Sequence, residues 1–131
     1  KGRSTSMIYN LYERMKLEKR PRLFKFGEQK RDHIYINDVV NATIKALEAP
    51  SGVYNVGTGI STSFNQVIAL MNETLGTDLS PEYFDMPYNS KTYQANTQAD
   101  TSLAEKKLGF RAKYSLAEGI KEYIRLLEGN V

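Results

Sequence analysis

Seven cations, Lys16, Lys19, Arg20, Arg22, Lys25, Lys30 and Arg31, crowd positions 16 to 31, against Glu18 and Glu28 alone. Such a local excess attracts an anionic partner, either a phosphate ligand or a nucleic acid. Phe24, Phe26 and Tyr35 interleave with Lys25, Lys30 and Arg31, and rings set among cations are the parts of a stacking platform for single-stranded nucleic acid. The same charges also suit a plain solvated face. Tyr12 and Lys16 stand four apart, which places both on one side of a helix. Gly57-Thr58-Gly59 makes a permissive backbone but lacks the third glycine of a dinucleotide-binding fingerprint. There is no cysteine and His33 is the single histidine, so a disulfide framework, a thiolate metal site and a His-rich zinc site are all excluded, and no metal is expected.

The chain of 131 residues, 40% hydrophobic and 25% charged, suits one globular domain with a modest core. Its net charge is +3. No apolar run approaches the roughly 20 residues of a membrane helix. The opening KGRSTSM lacks the apolar stretch of a secretory signal, so a soluble cytoplasmic protein is expected, with no membrane partner. The first residue is not Met, and a helical pattern begins almost at once, which reads as a fragment of a longer protein.

The elements that must position these residues alternate. Met7, Ile8, Leu11 and Met15 fall at helical spacing behind a Ser4 or Thr5 cap, and Pro21 is expected to stop that helix. Arg22–Phe26 reads as a strand with Phe24 and Phe26 on one face, followed by a turn at 27–30. His33–Ile36 reads as a short strand leading to a helix capped by Asn37 or Asp38, with Val40, Ile44 and Leu47 sharing a face. Gly52–Val56 reads as a strand. Ser63 with Gln66, and Ser115 with Glu118, form capping boxes ahead of apolar stripes, Phe64 to Leu75 and Leu116 to Leu127. Gly76 and Gly109 sit at helix C-caps. Glu82–Met86 reads as a further strand, and Asp100 as the cap of a helix ending at Leu108. The class is α/β.

Arg31-Asp32-His33-Ile34-Tyr35-Ile36-Asn37-Asp38-Val39 closely resembles a signature of the extended short-chain dehydrogenases/reductases that act on nucleotide sugars. Gly52–Gly59 followed by a Ser-capped helix resembles that family's next element. Lys1-Gly2, Pro21–Phe24 ahead of Lys30–Asp32, and above all Tyr93-Gln94-Ala95-Asn96-Thr97-Gln98-Ala99-Asp100 are similar to its ADP-glyceromanno-heptose 6-epimerases. The resemblance implies the substrate-binding C-terminal part of such an enzyme without its N-terminal Rossmann domain. It implies an ADP-sugar substrate and NADP-dependent epimerisation at C6'' by transient oxidation.

The site residues follow from that resemblance. Lys1 matches an acid/base lysine that also reaches the cofactor. Arg31 matches a diphosphate ligand, its planar fork suited to bidentate contact. Phe24 is expected to pack on the adenine, with Lys25 beside it. Asn10, Arg3 and Tyr93 align with sugar- or phosphate-contacting positions, although Arg3 stands where a small residue is expected. Tyr12 and Lys16 spell the family's Tyr-x-x-x-Lys dyad, but that dyad belongs upstream of this sequence. The alternatives are a UDP-hexose epimerase or dTDP-sugar dehydratase of the same superfamily, and a basic single-stranded nucleic-acid-binding module. A third is a domain kept for assembly. A small lobe of about residues 1–36 and 59–97 is expected, with 38–56 and 100–128 packing on the Rossmann domain. Without that domain, Leu116, Ile120, Tyr123 and Leu127 would be bare, so self-association into a homo-oligomer is expected.

Overall fold

A computed structural model describes residues 6–87 and 93–129. In chain order the elements are α1 (Met7–Lys16), β1 (Arg22–Phe24), β2 (Lys30–Arg31), α2 (Ile36–Ala46), β3 (Thr62–Ser63), α3 (Phe64–Leu75), β4 (Glu82–Phe84), α4 (Ser102–Leu108) and α5 (Leu116–Leu127). The α/β class holds. By internal packing the chain divides into two compact units, Lys1–Gln29 with Ser63–Ala95 and Ile120–Val131, and Lys30–Thr62 with Asn96–Gly119.

In the first unit, α1 is capped by Ser6, whose side chain accepts from the Tyr9 N–H. The expected caps Ser4 and Thr5 lie outside the described residues. The helix ends well before Pro21, because Leu17 and Glu18 fold their N–H groups back onto Arg14 and Met15. β1 and β4 run parallel, with Arg22 opposite Glu82, Leu23 opposite Tyr83 and Phe24 opposite Phe84. Both are shorter than expected. β1 stops at Phe24 because the Gly27 N–H turns back to the Phe24 carbonyl at 2.8 Å. α3 has the Ser63–Gln66 capping box, and Gly76 closes it at φ 66°, a left-handed position that glycine adopts without strain. Leu11, Tyr12, Met15, Leu23, Val67, Ile68 and Met71 are buried. So are Ile120 and Ile124 of α5, which overturns the expectation of a bare α5 stripe. That end of the helix rests within its own unit, where Glu128 reaches Lys16 at 3.9 Å.

In the second unit, Lys30 belongs to a strand rather than a turn, since β2 pairs with β3 and the Thr97 N–H donates to the Lys30 carbonyl. The strand expected at His33–Ile36 does not form: His33–Tyr35 makes no ladder, and Ile36 already opens α2. α2 begins after Tyr35 with no side-chain cap. Asp38, expected as that cap, is 1% exposed and instead accepts from the N–H groups of Lys113 and Tyr114 at 3.0–3.1 Å. Ala42, Ala104, Leu108 and Phe110 form the core, with Ile34, Ala49, Tyr54, Val56 and Ala112 packed against it. Gly52–Val56 is not a strand: Tyr54 and Val56 pack on that core, and no ladder partner stands beside the segment among the described residues. α4 ends at Gly109 as expected, while Asp100 accepts from Ser102 one step outside the N-cap, which is Thr101. The Ser115–Glu118 box opens α5.

The face shared by Val40, Ile44 and Leu47 is 49%, 61% and 82% exposed, and Ile36 and Val53 are exposed as well. An apolar stripe of that kind seeks cover. The chain is expected to self-associate with rising concentration and to bind an apolar dye, and the double change Ile44→Asp, Leu47→Asp is expected to remove both. A wild-type chain that stays a monodisperse monomer with low dye binding would contradict this. Separately, Ser63→Ala is expected to lower unfolding free energy by about 1 kcal/mol in urea titration.

Candidate functional site

Alternation along a strand puts Arg22 and Phe24 on one face, and the parallel register brings Phe84 beside them. Phe24 and Phe84 meet edge to face with centroids 4.9 Å apart, and Tyr93 meets Phe24 at 6.1 Å in the same manner. The Arg22 guanidinium lies 4.6 Å from the Phe84 ring centroid, a cation–π distance. The structure thus brings together two expected site residues, Phe24 and Tyr93. It adds Arg22 and Phe84, which the sequence signalled only through strand alternation. Lys25 pairs with Asp85 at 2.9 Å, and Asn10 is exposed on α1. The turn after β1 is held by Gln29, whose side-chain amide donates to the Lys25 carbonyl. Lys1 and Arg3 lie outside the described residues.

Arg31 belongs to the second unit. It is half-buried, with one guanidinium nitrogen donating to the Lys30 carbonyl at 2.7 Å. Beside it Asp32 collects four hydrogen bonds. Its Oδ1 accepts from the backbone and the hydroxyl of Thr58 at 2.9 and 2.6 Å, and its Oδ2 from the N–H groups of Gly59 and Ala99 at 2.8 and 3.2 Å. The Gly57-Thr58-Gly59 loop is therefore a cradle for a carboxylate of this chain. Burial pushes the Asp32 carboxyl up, and the hydrogen bonds from Thr58, Ala99 and Gly59 more than offset it, leaving the group below its ordinary value. Burial pulls the His33 imidazole down, against the charge of Asp32 and together with that of Arg31. The imidazole is neutral at pH 7.

Tyr12 and Lys16 do meet, the ammonium donating to the phenol oxygen at 2.8 Å. That hydrogen bond, set against desolvation, raises the lysine, which keeps it protonated and unfit as a base at neutral pH. Among the described residues no group of three or more His, Cys, Asp or Glu side chains is placed to hold a metal ion. No helix among them is long and apolar enough to cross a membrane.

Residues 1–57 match the NAD dependent epimerase/dehydratase family. The ADP-L-glycero-D-manno-heptose-6-epimerase of Fusobacterium nucleatum is 32% identical, over 95% of this chain and 42% of that protein. Two solved structures agree. The Helicobacter pylori enzyme of the same description is 35% identical with a TM-score of 0.83, covering 96% of this chain and 38% of that one. The UDP-glucose 4-epimerase of Thermotoga maritima, solved with UDP-glucose, is 34% identical with a TM-score of 0.84, covering 95% and 40%. The chain is a homologue of these nucleotide-sugar epimerases and shares their fold. It spans about two fifths of their length.

A carboxyl held below its unfolded value lends stability that is present above about pH 4 and lost as pH falls through the folded value. The urea midpoint of the wild-type chain is therefore expected to fall between pH 5 and pH 2 by more than that of Asp32→Asn. Equal slopes for the two chains would remove the low Asp32 value.

Proposed function

We propose that this chain forms the sugar-nucleotide side of an epimerase active site and that its substrate is an ADP-linked heptose. The observation that carries the reading is the similarity to ADP-heptose 6-epimerases along nearly the whole chain. The UDP-glucose enzyme is as similar overall, so the choice of sugar rests on the Tyr93–Asp100 string. In this reading the base packs against the Phe24 ring, the Arg31 fork takes the diphosphate, and Tyr93 offers a hydroxyl to the sugar. Asn10, Lys25 and Arg3 line the remainder, and Lys1 moves a proton at its Nζ on one face of the reacting carbon.

The cofactor in this reading is NADP, where the family's description names NAD. The described residues do not fit that group. The N–H groups of Thr58 and Gly59, which in a glycine-rich loop would face a pyrophosphate, are taken by Asp32. The cofactor would be held by a Rossmann domain elsewhere in a longer protein, and the bare α2 stripe is the face we assign to packing against it. The nucleic-acid reading is less favoured, since the similarity to nucleotide-sugar epimerases runs along nearly the whole chain.

Titration of ADP and of UDP against the chain tests this. ADP is expected to bind more tightly than UDP. Arg31→Ala is expected to weaken ADP roughly tenfold, the loss of one good charged contact, and Arg31→Lys to restore only part because it lacks the fork. Unchanged ADP binding in Arg31→Ala would end the diphosphate assignment, and a preference for UDP would end the ADP-sugar assignment.

A further inference from the structure

Asp32 is not among the groups placed against substrate, yet three stretches of chain converge on it. Its four hydrogen bonds tie the end of β2 to the 57–59 loop and to Ala99. Gly57 is an independent sign of how tightly they close. A Cβ there would lie 2.7 Å from Asp32 Oδ2 and 2.5 Å from the Ala99 Cβ, and its φ is not in the left-handed region. Glycine is needed at 57 for room, not for backbone freedom. Three further bonds lace the same stretches. The Gln98 side chain donates to the Gly59 carbonyl, the Ser61 hydroxyl meets the Asn96 side-chain oxygen, and the Thr97 N–H donates to Lys30.

We infer that Asp32 is a positioning residue of the site: by drawing the 57–59 loop and the 96–99 stretch onto the end of β2, it fixes the direction in which Arg31 presents its guanidinium. The inference rests on the diphosphate role proposed for Arg31. The carboxylate suits the task because it is acceptor-only at both oxygens and can satisfy donors from several directions. The change Asp32→Asn would keep the shape but bring an NH2 group toward N–H donors, so at least one contact would become donor against donor.

The test combines residue-resolved hydrogen exchange with ADP titration on the 131-residue chain, comparing Asp32→Asn, Gly57→Ala and Arg31→Ala. Gly57→Ala leaves Arg31 and Asp32 chemically intact and wedges them from the loop. In both Asp32→Asn and Gly57→Ala the amides of Thr58, Gly59 and Ala99 are expected to lose roughly a hundredfold of protection while α3 keeps its own. The Kd for ADP is expected to rise roughly tenfold in each. Should either variant also strip protection from α3, Thr58→Val carries the test. It keeps the backbone donor, loses the hydroxyl, and is expected to weaken ADP about threefold. Lost protection at the three amides with wild-type ADP affinity, while Arg31→Ala weakens binding, overturns the positioning role and leaves the diphosphate reading intact. Wild-type protection in Asp32→Asn also overturns it. If Arg31→Ala leaves ADP binding unchanged, both the reading and this inference fall.

Discussion

A carboxylate drawn out of water must be met by donors, and in this chain the donors are mostly backbone N–H groups of distant loops. Asp32 takes Thr58, Gly59 and Ala99, and Asp38 takes Lys113 and Tyr114. The second unit has little sheet to organise it: β2, its short pairing with β3 and a bridge from Lys30 to Asn96. Its loops are instead pinned at two acidic points, each collecting chain from far along the sequence. Charge-assisted bonds to ionised oxygens are stronger than neutral ones, and a buried group left unmet costs more than a met one returns. That asymmetry makes each carboxylate a fixed node, and the segment between them, Asp32 to Asp38, carries His33, Ile34 and Tyr35 into place.

The first unit is organised by shape. Its parallel strand pair sets Phe24, Phe84 and Tyr93 edge to face, an arrangement that suits the opposed charges of ring edge and ring face. Arg22 lies over Phe84 and also reaches Glu82 at 3.7 Å, so a cation is kept at the rim of an apolar patch. A ligand with a flat apolar end and an anionic group next to it matches such a rim.

Local signals proved readable, and long-range ones did not. The capping boxes at Ser63 and Ser115 and the left-handed glycines at 76 and 109 depend on residues a few positions apart, so α3, α4 and α5 could be placed from their neighbours. β2 and β3 are two residues each, and their existence depends on partners no local window contains. Gly52–Val56 erred the other way, because Tyr54 and Val56 pack on a core without finding a ladder. In the site, Phe24 and Tyr93 were legible through the family's pattern and do come together. The hub at Asp32 was not, since its partners lie 26, 27 and 67 positions onward. Asp38 looked like a helix cap and turned out to serve a loop 75 positions away.

The interleaving of the two units bears on how the polypeptide acquires its structure during synthesis. Each unit is assembled from separated stretches. The first lacks buried Ile120 and Ile124 until α5 has emerged, and the second lacks Ala104, Leu108 and Phe110 until the stretch just before it has. A nascent chain leaving the ribosome can wind α1 early, but neither interior can close while the later stretches are still being made. Vectorial translation therefore gives no head start here. Both interiors stay open until residues 104–124 have been made, as expected when contacts join residues far apart in sequence.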